Sequence, residues 1–281
     1  MRIVGCAIGL WIGMAVPCEA YQERAWRELS DRTLSRMGRA LLRGQTRHWT
    51  HAESPHFIYH AAVPDPLPGL AREAEWVVAE LARRVPADVD APGRIYVLTD
   101  RRAWQRLMQV SGRRPEGIAL QIKNEIFLLR DPDQPPAYVD LPHELVHWWL
   151  WGLYEGTLPL WIEEGLAEYW GWQLAQTYHR QRQRHLYRDR PIISPTLWLP
   201  WDELLARTTY PAEVEANRAF YRQSEALMAT LLERVGQAEL PNWIRHMQAA
   251  DWQLEQVMHD SYGWNEADMI RLWQQVEKRL K

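Results

Sequence analysis

His143-Glu144-Leu145-Val146-His147 is the stretch on which the reading of this chain turns. On a helix with about 3.6 residues per turn, two residues four apart differ by about 40° around the axis, so both imidazoles can reach one metal ion. Glu144 stands about 100° round from His143, on the flank of that face, where its carboxylate can reach a water held by the metal. Neutral imidazoles offer nitrogen lone pairs to a divalent cation, and a carboxylate beside the water can take its proton.

The spacing is the H-E-x-x-H pattern in which two histidines bind Zn²⁺ and the glutamate serves as general base. An amphipathic helix with two unrelated histidines would carry the same five residues, so the surroundings matter. Asp140 is placed to cap the helix, Pro142 falls in the first turn where its missing N–H does no harm, and Leu145, Val146, Trp148, Trp149 and Leu150 supply apolar packing. The helix is predicted over 141–151, stopping at Gly152. A second helix is predicted over 160–176, after Pro159. On it Glu164 and Glu168 are four apart and share a face. Catalytic zinc favours three protein ligands and an open position, so Glu164 is the expected third ligand beside His143 and His147. Gly165 is expected to let the two helix backbones approach, and Glu168 to accept the free N–H of His143 or His147 and fix its tautomer. Glu163 is expected to face solvent.

At these residues the chain resembles the gluzincin metallopeptidases, and within them the peptidase MA-like group. His143-Glu-Leu-Val-His147 is followed by Leu160-Trp-Ile-Glu-Glu-Gly-Leu-Ala-Glu-Tyr169, similar to that group's second motif, Trp-x-x-Glu-Gly-Leu-Ala-Glu-Tyr. Sixteen residues separate His147 from Glu164, slightly fewer than in the best-known gluzincins, which implies a compact interhelical loop. The segments 53–60 and 94–100 resemble the group's first strands, and Phe220-Tyr-Arg-Gln-Ser224 its later helix. The resemblance covers roughly 49–236, with specificity concentrated in the two metal motifs. It implies a zincin-like fold, Zn²⁺ as cofactor, and the same ligand set as the spacing gives. It also implies that the strand Gly117, Ile118, Ala119, Leu120 and Gln121 lies at a sheet edge beside the metal, where an extended substrate backbone would add as a further strand. An ordinary sheet strand is the other reading of that segment.

A hydrolase of this kind needs a donor to the developing oxyanion. Tyr221, expected to open the helix after the metal helices, is the first candidate and Tyr210 the second; a packed tyrosine would read the same way. Of the 17 tryptophans several, including Trp148, Trp149, Trp151, Trp161, Trp170 and Trp172, crowd the metal motifs, and most read as core packing. The basic run 180–190 reads as a solvated helix end rather than a docking surface for an anionic partner.

Outward from the motifs, strands are predicted at 56–62, 94–99, 118–122 and 126–129, with a hairpin at Lys123-Asn124 and a helix at 70–84. Segment 21–44 is charged and helical in pattern. The expected fold class is α+β: a small, mostly antiparallel sheet lobe over 49–139 and a helical active-site lobe over 140–236. An N-terminal helical segment (21–48) and C-terminal helices (237–281) would pack around them.

Residues 1–20 carry one arginine, an apolar stretch and Cys18-Glu19-Ala20, and read as a signal peptide. Export to the periplasm or the extracellular space follows, and membrane attachment only if the leader stays uncleaved. Both cysteines lie in that segment, so thiolate chemistry and disulfides are excluded from a cleaved chain. A formal net charge of -3 gives no reason to expect nucleic acid. The expected partner is a peptide or protein substrate, and the expected function an exported zinc metallopeptidase with Glu144 as base. The competing readings are a zincin-fold binding protein that has lost catalysis and a zinc hydrolase acting on non-peptide cell-envelope material.

Overall fold

The computed structural model describes residues 21–44, 49–62, 67–85, 92–111, 118–130, 140–182 and 193–281. The signal-peptide reading and Gly117 lie outside them, as does most of the basic run 180–190.

The first half alternates strands and helices: β1 (Gln22–Arg24), α1 (Arg36–Gly44), β2 (Thr50–Glu53), β3 (Phe57–Ala61), α2 (Leu67–Arg84), β4 (Gly93–Leu98), α3 (Arg101–Ser111), β5 (Ala119–Ile122) and β6 (Glu125–Leu129). The six strands form one sheet in the order β1-β2-β3-β4-β6-β5. The ladders β1–β2, β2–β3 and β5–β6 are antiparallel, whereas β3–β4 and β4–β6, at the centre, are parallel. The sheet is therefore mixed: α2 is a crossover that brings the chain back parallel to β3, whereas α3 leads into β5, antiparallel to β4, and the hairpin then turns β6 parallel to β4.

Side-chain alternation divides the sheet into two dry faces. Phe57, Tyr59, Ala61, Ile95, Val97 and Ile126 join the larger core with α2, α4 and α5. Tyr96, Leu98, Leu120, Phe127 and Leu129 join a second core with Leu41 of α1 and with Trp104, Leu107 and Met108 of α3. Covered on both sides, β3 and β4 are buried along their whole length.

The second half is helical: α4 (Asp140–Tyr154), α5 (Leu160–Arg180), α6 (Trp201–Ala206), α7 (Val214–Val235), α8 (Leu240–Ala249), α9 (Leu254–Tyr262) and α10 (Glu266–Leu280). The whole is an α+β fold with a sheet part and a helical part. Asn265 caps α10, its side chain accepting from Asp268 N–H and Asp268 returning the bond. Among the described residues no helix is long and apolar enough to cross a membrane.

Several expectations need correcting. The 21–44 segment is helical only from Arg36; it begins with β1 and a short 3-10 turn at Trp26–Glu28. Gly152 does not end α4, which runs on to Tyr154; the chain reverses at Glu155 and Gly156, both with positive φ. Helix α5 extends a turn beyond 176. Tyr221 sits in the second turn of α7 rather than at its start, and α6 intervenes. The hairpin at Lys123-Asn124 is present, with Lys123 at φ 57.

Candidate metal centre

Helices α4 and α5 form a hairpin joined by five residues, which sets their faces together. Trp148 and Trp149 from α4 and Trp161 and Trp170 from α5 are buried in the larger core. Such packing locks the helices that carry the polar groups. The close approach is made at Gly171: a Cβ there would stand 2.8 Å from the Cα of His143. Gly165, expected to have this role, instead faces α7, where a Cβ would lie 2.5 Å from the Ser224 carbonyl oxygen. Glycines at both positions place α5 tightly between its neighbours.

Three ligating atoms converge at this junction. His143 Nε2 and His147 Nε2 are 3.0 Å apart, and Glu164 Oε2 lies 3.5 and 3.3 Å from them. All three side chains can offer an atom within 4.8 Å of the others, and the group could hold a metal ion. The outer nitrogens settle the tautomers. His147 Nδ1 meets Glu163 Oε1 at 3.2 Å and His143 Nδ1 faces Glu168 Oε1 at 3.6 Å. In the neutral tautomer that carries its hydrogen on Nδ1, facing a carboxylate, each ring would turn its Nε2 lone pair inward. Two nitrogen lone pairs and a carboxylate oxygen pointing at one another repel unless a cation lies between them. Glu164 Oε2 is buried and accepts no hydrogen bond, while Oε1 accepts one from the Tyr210 hydroxyl. The donor set suits a borderline cation such as Zn²⁺.

Without a metal ion the surrounding charges favour a proton on these rings, which a metal would have to displace. Burial works against a charged imidazole at His143 and His147, yet the carboxylate of Glu164 outweighs it, with Glu168 helping at the first and Glu163 at the second; both rings are held above the usual range. For Glu164, burial is outweighed by the two imidazoles, and its carboxyl is held far below the usual range. Glu144 is pushed up by burial, against the pull of His143 and His147 and with the help of Glu164 and Asp140. A carboxylate so raised is a better base than one in water.

The expected contact from Glu168 is made to His143. Glu163, expected to face solvent, is turned back onto His147. Its position directly before Glu164 carried no periodic signal, because residues 163 and 164 are about 100° apart on a helix. Both tyrosines come to the site. The Tyr221 ring is centred 6.4 Å from His143 and 6.0 Å from Tyr210. Its hydroxyl makes no hydrogen bond to a described residue, and burial, followed by the charges of Glu164 and Tyr210, pushes its pKa well up. Tyr210 is committed to Glu164. Of the expected substrate strand, Ala119 and Leu120 lie in β5 at the edge of the sheet, with Ile118 just before it. The Leu120 side chain points into the second core, so its backbone alone could meet a ligand.

No protein-family model matches the chain, and no curated protein matches it in sequence.

Proposed function

We propose that the chain is an exported zinc metallopeptidase related to the gluzincins, with His143, His147 and Glu164 as metal ligands. The observation that supports it most is the inward convergence of two imidazole Nε2 atoms and a buried, unpartnered carboxylate oxygen, each fixed from behind by another side chain. Zn²⁺ bound there would supply a Lewis acid that polarises a carbonyl and brings the pKa of a water towards about 7.

The protein's own groups have the remaining work. Glu144, buried and raised, takes the proton of the attacking water on its carboxylate and later releases it to the leaving nitrogen. Glu163 and Glu168 keep the Nδ1 atoms of the two histidines as donors, so that the Nε2 atoms stay free to ligate. Tyr210 holds one oxygen of Glu164 and leaves the other for the metal. Tyr221 stays protonated across the neutral range and is the candidate donor to the oxyanion. The free edge of β5 would align an extended peptide.

The test is metal content and cleavage of an unbiased peptide mixture for the wild type and Glu164→Ala. The wild type should carry about one zinc per chain and show chelator-sensitive cleavage, and the variant should lose both. A wild type without zinc under metal-replete conditions, or cleavage unaffected in Glu164→Ala, would refute the proposal.

A further inference from the structure

On the sheet face away from α4 lies a cavity of about 690 Å³, a size that accommodates a small organic ligand. His51 of β2 forms one wall. Its cross-strand partner His60 packs its ring on Tyr96, a member of the second core, which fixes the side of the sheet. The other walls include Trp26, Trp49, Arg32, Arg39 and Arg43, and among the described residues no carboxylate lines it. In a chain of formal net charge -3, three guanidinium groups facing one cavity is a local reversal of sign. Of the acids nearby in sequence, Asp31 pairs with Arg94, Glu53 with Arg24 and the Ser30 N–H, and Glu28 with Arg27, while Glu23 accepts from the Tyr21 hydroxyl and lines an adjoining recess rather than this cavity. Among the described residues Arg32 and Arg43 form no ion pair, and Arg39 donates to the Leu34 carbonyl.

Two further donors are left without acceptors. The Trp49 Nε1–H is buried and unpartnered. His51 Nδ1 and His60 Nδ1 are 2.9 Å apart, and burial holds both rings below the ordinary imidazole value, His60 at about 3. Two neutral rings meeting nitrogen to nitrogen share one hydrogen. His60 Nε2 is buried and has no partner, and a buried N–H left unpaired is rarer than an unused acceptor. The shared hydrogen therefore belongs to His60 Nδ1, which donates to His51 Nδ1. His51, being neutral, then carries its own hydrogen on Nε2, so that the cavity wall gains a donor.

We propose that this cavity binds a planar ring bearing an anionic group. Indole faces offer stacking area to the ring, guanidinium forks match a carboxylate or phosphate in pairs of hydrogen bonds, and the histidine and indole N–H groups complete a set of donors without acceptors. No residue of the cavity belongs to the metal group, so this binding is independent of the hydrolysis proposed above.

Isothermal titration of the full-length protein with adenosine 5′-monophosphate and with benzoate, against adenosine and benzyl alcohol as uncharged controls, tests it. At least one anion should bind measurably more tightly than its control; preference for the nucleotide indicates a phosphate ligand, preference for benzoate a carboxylate. Arg39→Gln/Arg43→Gln, which changes exposed side chains, should weaken that binding about tenfold or more while leaving zinc content unchanged. Trp49→Leu should weaken the anion and its control alike. The proposal is overturned if neither anion binds better than its control, or if the double arginine variant binds as the wild type does.

Discussion

Glu163 and Glu164 are neighbours in sequence with different tasks, and the difference comes from how a helix distributes adjacent side chains. Glu164 points into the junction of α4 and α5 and is 1% exposed, whereas Glu163 reaches round to the Nδ1 of His147. A sequence shows that one of two adjacent glutamates is on the metal face, but not that the other can bend back, because the contact depends on the separation of the helices. Glu163→Gln keeps an acceptor but removes the charge that favours the Nδ1–H tautomer. It is expected to weaken zinc binding by about tenfold or more without changing the melting temperature of the metal-free protein by more than a degree or two. Zinc titration against a competing chelator reads the first effect and thermal unfolding the second. Equal zinc affinity in variant and wild type would remove Glu163 from the site.

At the scale of elements, the helices α4 and α5 could be read from the spacing of their motifs, though not the end of α4, and so could the central strands, whose apolar runs are long enough to be distinctive. The rest was hidden for identifiable reasons. β1 and β2 carry Gln-Glu-Arg and Thr-His-Ala-Glu, with Ala52 the only buried residue, because they form a charged sheet margin with little apolar face to signal a strand. Helix α3 had a usable signal: Ala103, Trp104, Leu107 and Met108 at helical spacing, with Asp100 accepting from the N–H groups of Arg102 and Ala103. Which glycine faces which helix depends on packing alone. Gly171→Ala would drive a methyl into the backbone of His143, which cannot yield as a side chain can, and should cost about 1–3 kcal/mol of stability while weakening zinc binding. Denaturant unfolding and zinc titration would check this, and an unchanged zinc affinity would show that α5 is not held where the structure has it.

A second device at this scale fastens the turn before β3 to α2. Glu75 accepts from Ser54 Oγ, from the His56 N–H at 2.9 Å and from His56 Nδ1. Burial of Glu75 is outweighed by these donors, and its carboxyl is held below the ordinary 4.5; His56 is raised above 6.5, chiefly by its bond to Glu75. The lowered acid stabilises the fold above pH 4.5 and loses that contribution as pH falls through its folded value. The raised histidine contributes below pH 6.5 and loses it as pH rises through its own. Glu75→Gln should therefore flatten the dependence of the unfolding midpoint on pH both at the acid end and above pH 6.5. A profile parallel to that of the wild type would show that the pair is not coupled to folding.

Across the whole molecule, a sheet whose central strands are buried on both faces supports α4 from one side, α5 packs on α4 with α7 behind it, and the polar groups of α4 and α5 meet in the resulting junction. The metal group was visible in the sequence because its spacing is dictated by helix geometry, whereas the cavity beside His51 was not, since its walls come from a 3-10 turn, a helix and a strand with no common pattern. The proposed hydrolysis requires Glu144 to act as a base beside a metal-held water. The most direct test is Glu144→Gln, measured for zinc content and for peptide cleavage beside the wild type. About one zinc per chain is expected in both proteins, with cleavage at least about a hundredfold slower in the variant. A variant that binds zinc and cleaves at the wild-type rate would contradict it.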